Sequence, residues 1–333
     1  MKVYLKRIIY ILLIALVVLE LTLRLMGYGP PPERPQAISF YEPNAHLGWT
    51  QTPGTYRFPV NIWGDTMNLT IDRYGERLTK PEPIPGNLDQ VLFIGGSFTM
   101  GAGLDDEQTL PWKLQQEFPS VNIRNLGVGG YGTYQSLLVL RKRLEHSKKP
   151  KAVIYGFMSH HRQRNVAQAD WLGSLAINSN KSGNEQVYIP FVTLTKDKKL
   201  IEGKPVKYLR LPLHKHLASS FLLQRAINNI SGYRRIHDTD EVLELLLSEM
   251  HDLCSKLDIP FYVNLLHCEK LMLSGLQEFL DQNNIAYIDS RVSLNENNTF
   301  RDDGHPKEVV IEEWTKRVSQ RFLKDGIVSA EVK

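Results

Sequence analysis

Cysteine is nearly missing from this chain of 333 residues, with only Cys254 and Cys268 present. That excludes a disulfide-built scaffold, and their spacing fits no zinc pattern. Both fall in apolar or amphipathic segments and read as small buried residues, with a bond between them open only outside a reducing compartment. Charge of one sign is also lacking: 40 Lys and Arg against 36 Asp and Glu leave a net charge of +4. No basic block stands out, so nothing points to nucleic acid. No internal repeat occurs. Residues from about 162 to 235 have weak periodicity and no long apolar run of the kind that would line a lipid tunnel, and read as an insertion. Lys196, Lys198, Lys199, Lys204 and Lys207 in that stretch read as a solvated face or as contacts to an anionic polymer. What is present is a globular composition, 42% apolar and 23% charged.

One apolar run dominates the amino terminus. Ile8–Leu19 follows Lys2, Lys6 and Arg7, and the apolar character continues to Met26. A helix over 8–26 is about long enough to cross the roughly 30 Å hydrocarbon core of a bilayer. Glu20 and Arg24 share a helix face four residues apart and can neutralise each other. No small-x-small cleavage site follows, so an uncleaved anchor is expected rather than a signal peptide. The preceding cations place the amino terminus in the cytoplasm and the rest of the chain in the periplasm or outside the cell. The expected domains are an anchor over 1–28, a linker and β-rich lead-in over 29–88, and a main domain over 89–325 interrupted at about 162–235. GPPPERP over 29–35 reads as a stiff spacer and PEPIPGN over 81–87 as a boundary. Thr55–Val60 and Asn68–Asp72 read as short antiparallel strands.

From Val91 on, strands alternate with helices. Strands are expected at Val91–Ile94, Val121–Leu126, Lys151–Met158, Pro260–Leu266 and Ala286–Asp289. Helices are expected at Glu107–Phe118, Tyr134–His146, Thr239–Leu257 (with Asp238 as a cap), Lys270–Asn283 and Lys307–Leu323. This alternation implies a parallel sheet with helices on both faces. In VLFIGGSFTMGAGL, Gly95 and Gly96 turn the chain sharply after a buried strand. Ser97 is then either a helix cap or a nucleophile at the carboxyl edge of the sheet.

Two later loops bear on that choice. NLGVGGYG over 125–132 contains Gly127-x-Gly129-x-x-Gly132, a literal dinucleotide fingerprint. The next strand ends in Met158, Ser159, His160 and His161, with no carboxylate for a ribose, so the loop reads instead as backbone N–H groups facing an anion. RDDGHP over 301–306 sets a carboxylate, Asp302, three residues before His305. An Asp there could orient an imidazole that takes a proton from serine; an ordinary surface turn is the plain alternative.

The three blocks in this order resemble the SGNH (GDSL-like) hydrolases. GGSFTMGAGL is similar to the block that carries their nucleophile, Asn125-x-Gly127-x-x-Gly130 to their second block, and Asp302-x-x-His305 to their last. Leu47-Gly48-Trp49, the NLTIDRYGER segment and the anchor resemble envelope-anchored bacterial members. The resemblance implies a flavodoxin-like three-layer α/β/α fold, with Ser97 as nucleophile, His305 as base and Asp302 orienting it. It also implies an oxyanion hole from the N–H groups of Ser97 and Gly130. Two departures stand out: Gly96 replaces the usual Asp, and MSHHRQRN puts His160 where the family has an oxyanion-binding Asn. His160 is either a substitute donor or a loop residue, with Asn165 a second candidate, and Asp303 is an alternative to Asp302. The implied activity is removal of acyl groups, acetyl above all, from an envelope or extracellular glycan, with no cofactor or metal. Acyl transfer to polysaccharide and an impaired glycan-binding module are the alternatives.

Overall fold

In the computed structural model the described residues are 2–30, 40–60, 64–81, 88–181, 187–236, 238–301 and 303–329. Most of the expected spacer and boundary, together with Asp302, lies outside them. The elements in chain order are helix α1 (Lys2–Leu25), strands β1 (Tyr41–Asn44), β2 (Gly48–Gln51), β3 (Gly54–Pro59), β4 (Thr66–Ile71) and β5 (Gln90–Gly95), then helices α2 (Ser97–Met100) and α3 (Leu110–Glu117). They continue with β6 (Asn122–Asn125), α4 (Thr133–His146), β7 (Ala152–Met158), α5 (His161–Asn165), α6 (Ala169–Lys181), β8 (Val192–Leu194), β9 (Leu200–Glu202) and α7 (Ala218–Gly232). The chain closes with α8 (Thr239–Ser255), β10 (Phe261–His267), α9 (Lys270–Gln282), β11 (Tyr287–Asp289) and α10 (Glu308–Lys324).

Five parallel strands form the central sheet in the order β11-β10-β7-β5-β6. Every residue of β7 and all but the first of β5 are buried, as a sheet covered on both faces requires. Alternate side chains serve opposite layers. Leu92, Ile94, Val153, Tyr155 and Phe157 pack with Leu137 and Leu140 of α4, Leu243, Leu246 and Leu247 of α8, and Leu280 of α9. Val91, Phe93 and Ile154 pack with Leu114 of α3 and Trp314, Val318 and Phe322 of α10. The result is the three-layer α/β/α sandwich that the alternation implies.

Numbered along the chain, the strand order is 2-1-3-4-5, so the winding reverses between β5 and β7. Open α/β sheets bind ligands outside the carboxyl ends of the strands at that switch point. Ser97 follows β5 and His160 follows β7, so both fall there.

Several boundaries differ from expectation. The helix expected from Glu107 begins at Leu110: Asp106–Gln108 is a 3-10 turn, and Pro111 sits in the first turn of α3, where its missing N–H costs nothing. Asp238 occupies the cap position of α8 at φ 69° but makes no cap hydrogen bond. Cys254 and Cys268 are free thiols, and burial pushes the Cys254 thiol up to about 12. The lead-in contains the antiparallel pairs β1–β2 and β3–β4, and its following segment meets edge strand β6 through an antiparallel bridge from Arg77 to Asn125 and a hydrogen bond from Thr79 Oγ1 to Ile123 O. The insertion holds α6, α7 and the small β8–β9 pair.

Candidate active site

Ser97 is the first residue of α2, and the cap position belongs to Gly96. Ser97 is therefore not the cap residue of α2. The residue is 7% exposed, at the carboxyl edge of the sheet just beyond β5, which lies between β7 and edge strand β6. The turn that presents it depends on close approach. A Cβ on Gly95, at φ 152°, would lie 2.3 Å from Thr99 Oγ1, and one on Gly156 in the neighbouring strand 2.1 Å from the same atom. Thr99 therefore fills a groove that two glycines leave open, and α2 sits directly on the sheet.

The Asn125–Gly132 loop is held against that helix. Asn125 Oδ1 accepts from Gly127 N and its Nδ2 donates to Met100 O, 3.1 and 3.3 Å. Val128 N donates to Gly95 O at 3.1 Å. A Cβ on Gly127 would meet Met100 N at 2.4 Å, and one on Gly132 would meet Asn165 Oδ1 at 2.8 Å. The space beside Gly127 and Gly132 is thus taken by protein atoms. Gly130 has φ 86° and is half-buried. The Leu47-Gly48-Trp49 segment fixes this loop from outside: Trp49 Nε1 donates to Gly129 O at 3.1 Å, and the Tyr131 hydroxyl donates to Trp49 O.

His305 comes from the loop after β11. Its Nδ1 is 2.6 Å from Asp303 Oδ2, and its ring leans edge-on against Phe98, centroids 5.6 Å apart. Among the described residues, the carboxylate on the imidazole is that of Asp303, two residues away. Gly304, at φ 76°, makes the short turn that lets it reach. Phe98 also touches His267, centroids 6.5 Å apart, and His267 stacks on His160 at 6.2 Å. Three imidazoles thus form a rim around Phe98, beside Ser97. His160 is exposed on that rim, with its pKa held below the ordinary histidine range by desolvation and then by Arg164. His267 is shifted the same way by desolvation. His267 ends β10 one residue beyond the apolar run, so only its position at the carboxyl edge could have marked it. Asn165 is buried, accepting from Tyr134 N at 3.0 Å and donating to Thr133 Oγ1 at 3.2 Å. Its side-chain oxygen thus serves the first turn of α4.

His161 explains Gly96. Its ring is fully buried, with Nδ1 2.6 Å from the Tyr155 hydroxyl and Nε2 without a hydrogen-bond partner. A Cβ on Gly96 would lie 2.7 Å from that Nε2 and 3.2 Å from Arg164 Nη1. The imidazole fills the space that a side chain at position 96 would need, so an Asp there would collide. Burial holds the pKa of His161 well below 6.5. The unfolded chain therefore takes up a proton near 6.5 that the folded one refuses. His161 is neutral in both states above that pH, and stability falls as pH drops below it toward the lower folded value. Between pH 7 and 5.5 the wild type should lose about 1 kcal/mol more than His161→Gln. Urea midpoints at the two pH values would read this, and equal losses would refute it.

Elsewhere, a cavity of about 750 Å³ lines the far side of β6 near Arg73, Lys80, Arg124 and Arg143. Its cations are largely paired, Arg124 with Asp72 and Glu76 and Arg143 with Glu76, and it is away from Ser97. Lys198 of the insertion pairs with Glu241 at 2.9 Å.

No protein-family profile matches the chain, and no curated protein does. Solved structures do resemble it in part. A member of the lipolytic protein G-D-S-L family from Veillonella parvula shares 13% identity at a TM-score of 0.33, over 71% of this chain and 98% of that one. A family two carbohydrate esterase from Clostridium thermocellum, solved as an active-site mutant, shares 8% at 0.34, over 74% and 66%. The SGNH-hydrolase family esterase AlinE4 shares 15% identity at a TM-score of 0.35, over 72% of this chain and 98% of that one.

Proposed function

We propose that the chain is a membrane-anchored serine ester hydrolase of the SGNH type. Ser97 Oγ attacks the ester carbonyl while His305 takes its proton, and Asp303 holds the imidazole through Nδ1. The alcohol leaves with that proton, and water, deprotonated by the same histidine, then releases the acid from the acyl-enzyme. The N–H groups of Ser97 and Gly130 receive the oxyanion, with His160 as a side-chain donor on the rim. The substrate is a small acyl ester, acetyl above all, on an envelope or extracellular glycan. The catalytic domain faces the periplasm or the exterior, held there by α1. That helix includes Tyr4–Leu25, a stretch long and apolar enough to cross a membrane.

The observation that carries this reading is the imidazole of His305, bonded at 2.6 Å to Asp303 and packed on Phe98, the residue next to Ser97. The test is to label the full chain with a fluorophosphonate and map the modified peptide. An adduct on Ser97 is expected, with acetate released from an acetylated polysaccharide by the unlabelled protein. An adduct elsewhere, or none, overturns the assignment.

A further inference from the structure

Helix α7 has its polarity reversed. The residues it buries are Ala218, Gln224, Asn228 and Gly232. The two polar ones serve the preceding loop: Gln224 Oε1 accepts from Leu211 N at 2.8 Å, and Asn228 exchanges hydrogen bonds with Leu209 N and O at 2.9 and 3.0 Å. The outward stripe is Leu223, Ile227 and Ile230, at 56, 36 and 75% exposure, continued by Tyr233 beyond the helix and preceded by Leu213. Spacing of four and then three residues puts the three on one face. A helix on a water-facing surface does the opposite, burying its apolar stripe. Single exposed apolar residues need no explanation, but a continuous stripe does.

The start of α7 is tied to the anchor. The Glu20 carboxylate accepts from Ala218 N at 2.8 Å, Ser219 N at 3.0 Å and Ser219 Oγ at 2.9 Å. Arg24 bridges Glu20 at 2.7 Å and donates to His216 O. The two charged residues near the outer end of α1 are therefore a clamp between anchor and insertion, beyond neutralising each other. Glu20 lies between one and two turns before the end of α1, so the clamp holds the start of α7 at the level where the span leaves the hydrocarbon. An apolar-faced helix at that level fits the headgroup boundary.

We propose that the Leu223–Ile227–Ile230 face of α7 rests in the outer interface of the same bilayer that α1 spans, holding the catalytic domain against the membrane. This rests on α1 being a membrane span, and the test separates the two. The full chain, with Cys268→Ser and the buried Cys254 retained, is placed in phospholipid nanodiscs. It carries one nitroxide-labelled cysteine at a time: Leu223→Cys, Ile227→Cys or Ile230→Cys on α7, Leu12→Cys on α1, or Leu271→Cys on α9, where the native residue is 99% exposed. Power saturation should show collisions with oxygen exceeding those with a water-soluble nickel chelate several-fold at Leu12 and along α7, and the reverse at Leu271. If Leu12 is oxygen-rich while the α7 labels behave like Leu271, the docking proposal is wrong and the anchor stands. Shielding of the α7 labels from both reagents would mean a protein partner covers the face, which also overturns it. A chelate-accessible Leu12 would remove the anchor and the proposal together.

Discussion

Ser97→Ala and His305→Ala should each lower kcat/KM for p-nitrophenyl acetate by about ten-thousand- to a million-fold, and the double variant should lose no more than either single one. Nucleophile and base act as one unit, so removing either leaves only the binding and oxyanion terms. Asp303→Asn is the finer test. An amide in place of the carboxylate next to Nδ1 can present its own N–H to the ring, favouring the wrong tautomer and withdrawing the charge that would stabilise the imidazolium, for a loss of roughly a hundred- to ten-thousand-fold. Asp302→Asn should retain most activity. The opposite ranking would return the orienting role to Asp302 and make the 2.6 Å contact of Asp303 a resting arrangement of the loop. Unchanged melting temperatures in the four variants are needed for the comparison, and the exposed loop around Gly304 makes that the expected result for the two Asp changes.

The sheet was legible because β5, β7 and β10 are buried on both faces, so their apolar runs survive in the sequence without alternation. The pair β3–β4 was legible for a local reason, alternating residues flanked by turns. Helix α7 was not. Its buried positions carry Gln224 and Asn228 while Leu223 and Ile227 face outward, so a search for an apolar stripe opposite a polar one finds no core-facing side. For the acid of the candidate site, the motif spacing favours Asp302, which lies outside the described residues, while the left-handed Gly304 brings Asp303, two before His305, to the imidazole. His161 was seen only as a neighbour of His160. Its contact with Gly96 joins residues 65 positions apart, and nothing local in either segment announces it. The same holds for Arg77, which sits in a turn-rich stretch where a lone cation reads as surface.

Arg77→Met should be the most damaging substitution outside the reacting groups, costing about 3–5 kcal/mol of stability. The Arg77 side chain is 0% exposed, and its five N–H groups meet five acceptors. Nε donates to Asp106 Oδ1 at 2.8 Å, Nη1 to Met100 O and Gly101 O at 3.1 and 2.7 Å, and Nη2 to Leu104 O and Asn68 O at 2.7 and 3.3 Å. Three of those carbonyls belong to the chain leaving α2, the short helix that begins with Ser97. The fork thus fastens the exit of the nucleophile turn to β4 of the lead-in. Methionine fills the volume but takes the guanidinium donors away from four carbonyls and a largely buried carboxylate, and a buried ion pair broken on one side loses far more than the pair was worth. The melting temperature should fall by roughly 10 °C, and activity per folded molecule should fall with it as α2 loosens. Arg77→Lys keeps the charge but cannot reproduce the planar five-donor fork, so it should land between the two. Lys148→Met breaks only the exposed pair with Asp89 and should shift stability by under about 1 kcal/mol. Were Arg77→Met to melt within two or three degrees of Lys148→Met, the lead-in would be a passenger on the sheet, and the geometry at Ser97 would have to be held by Thr99, the glycine groove and the Asn125 loop.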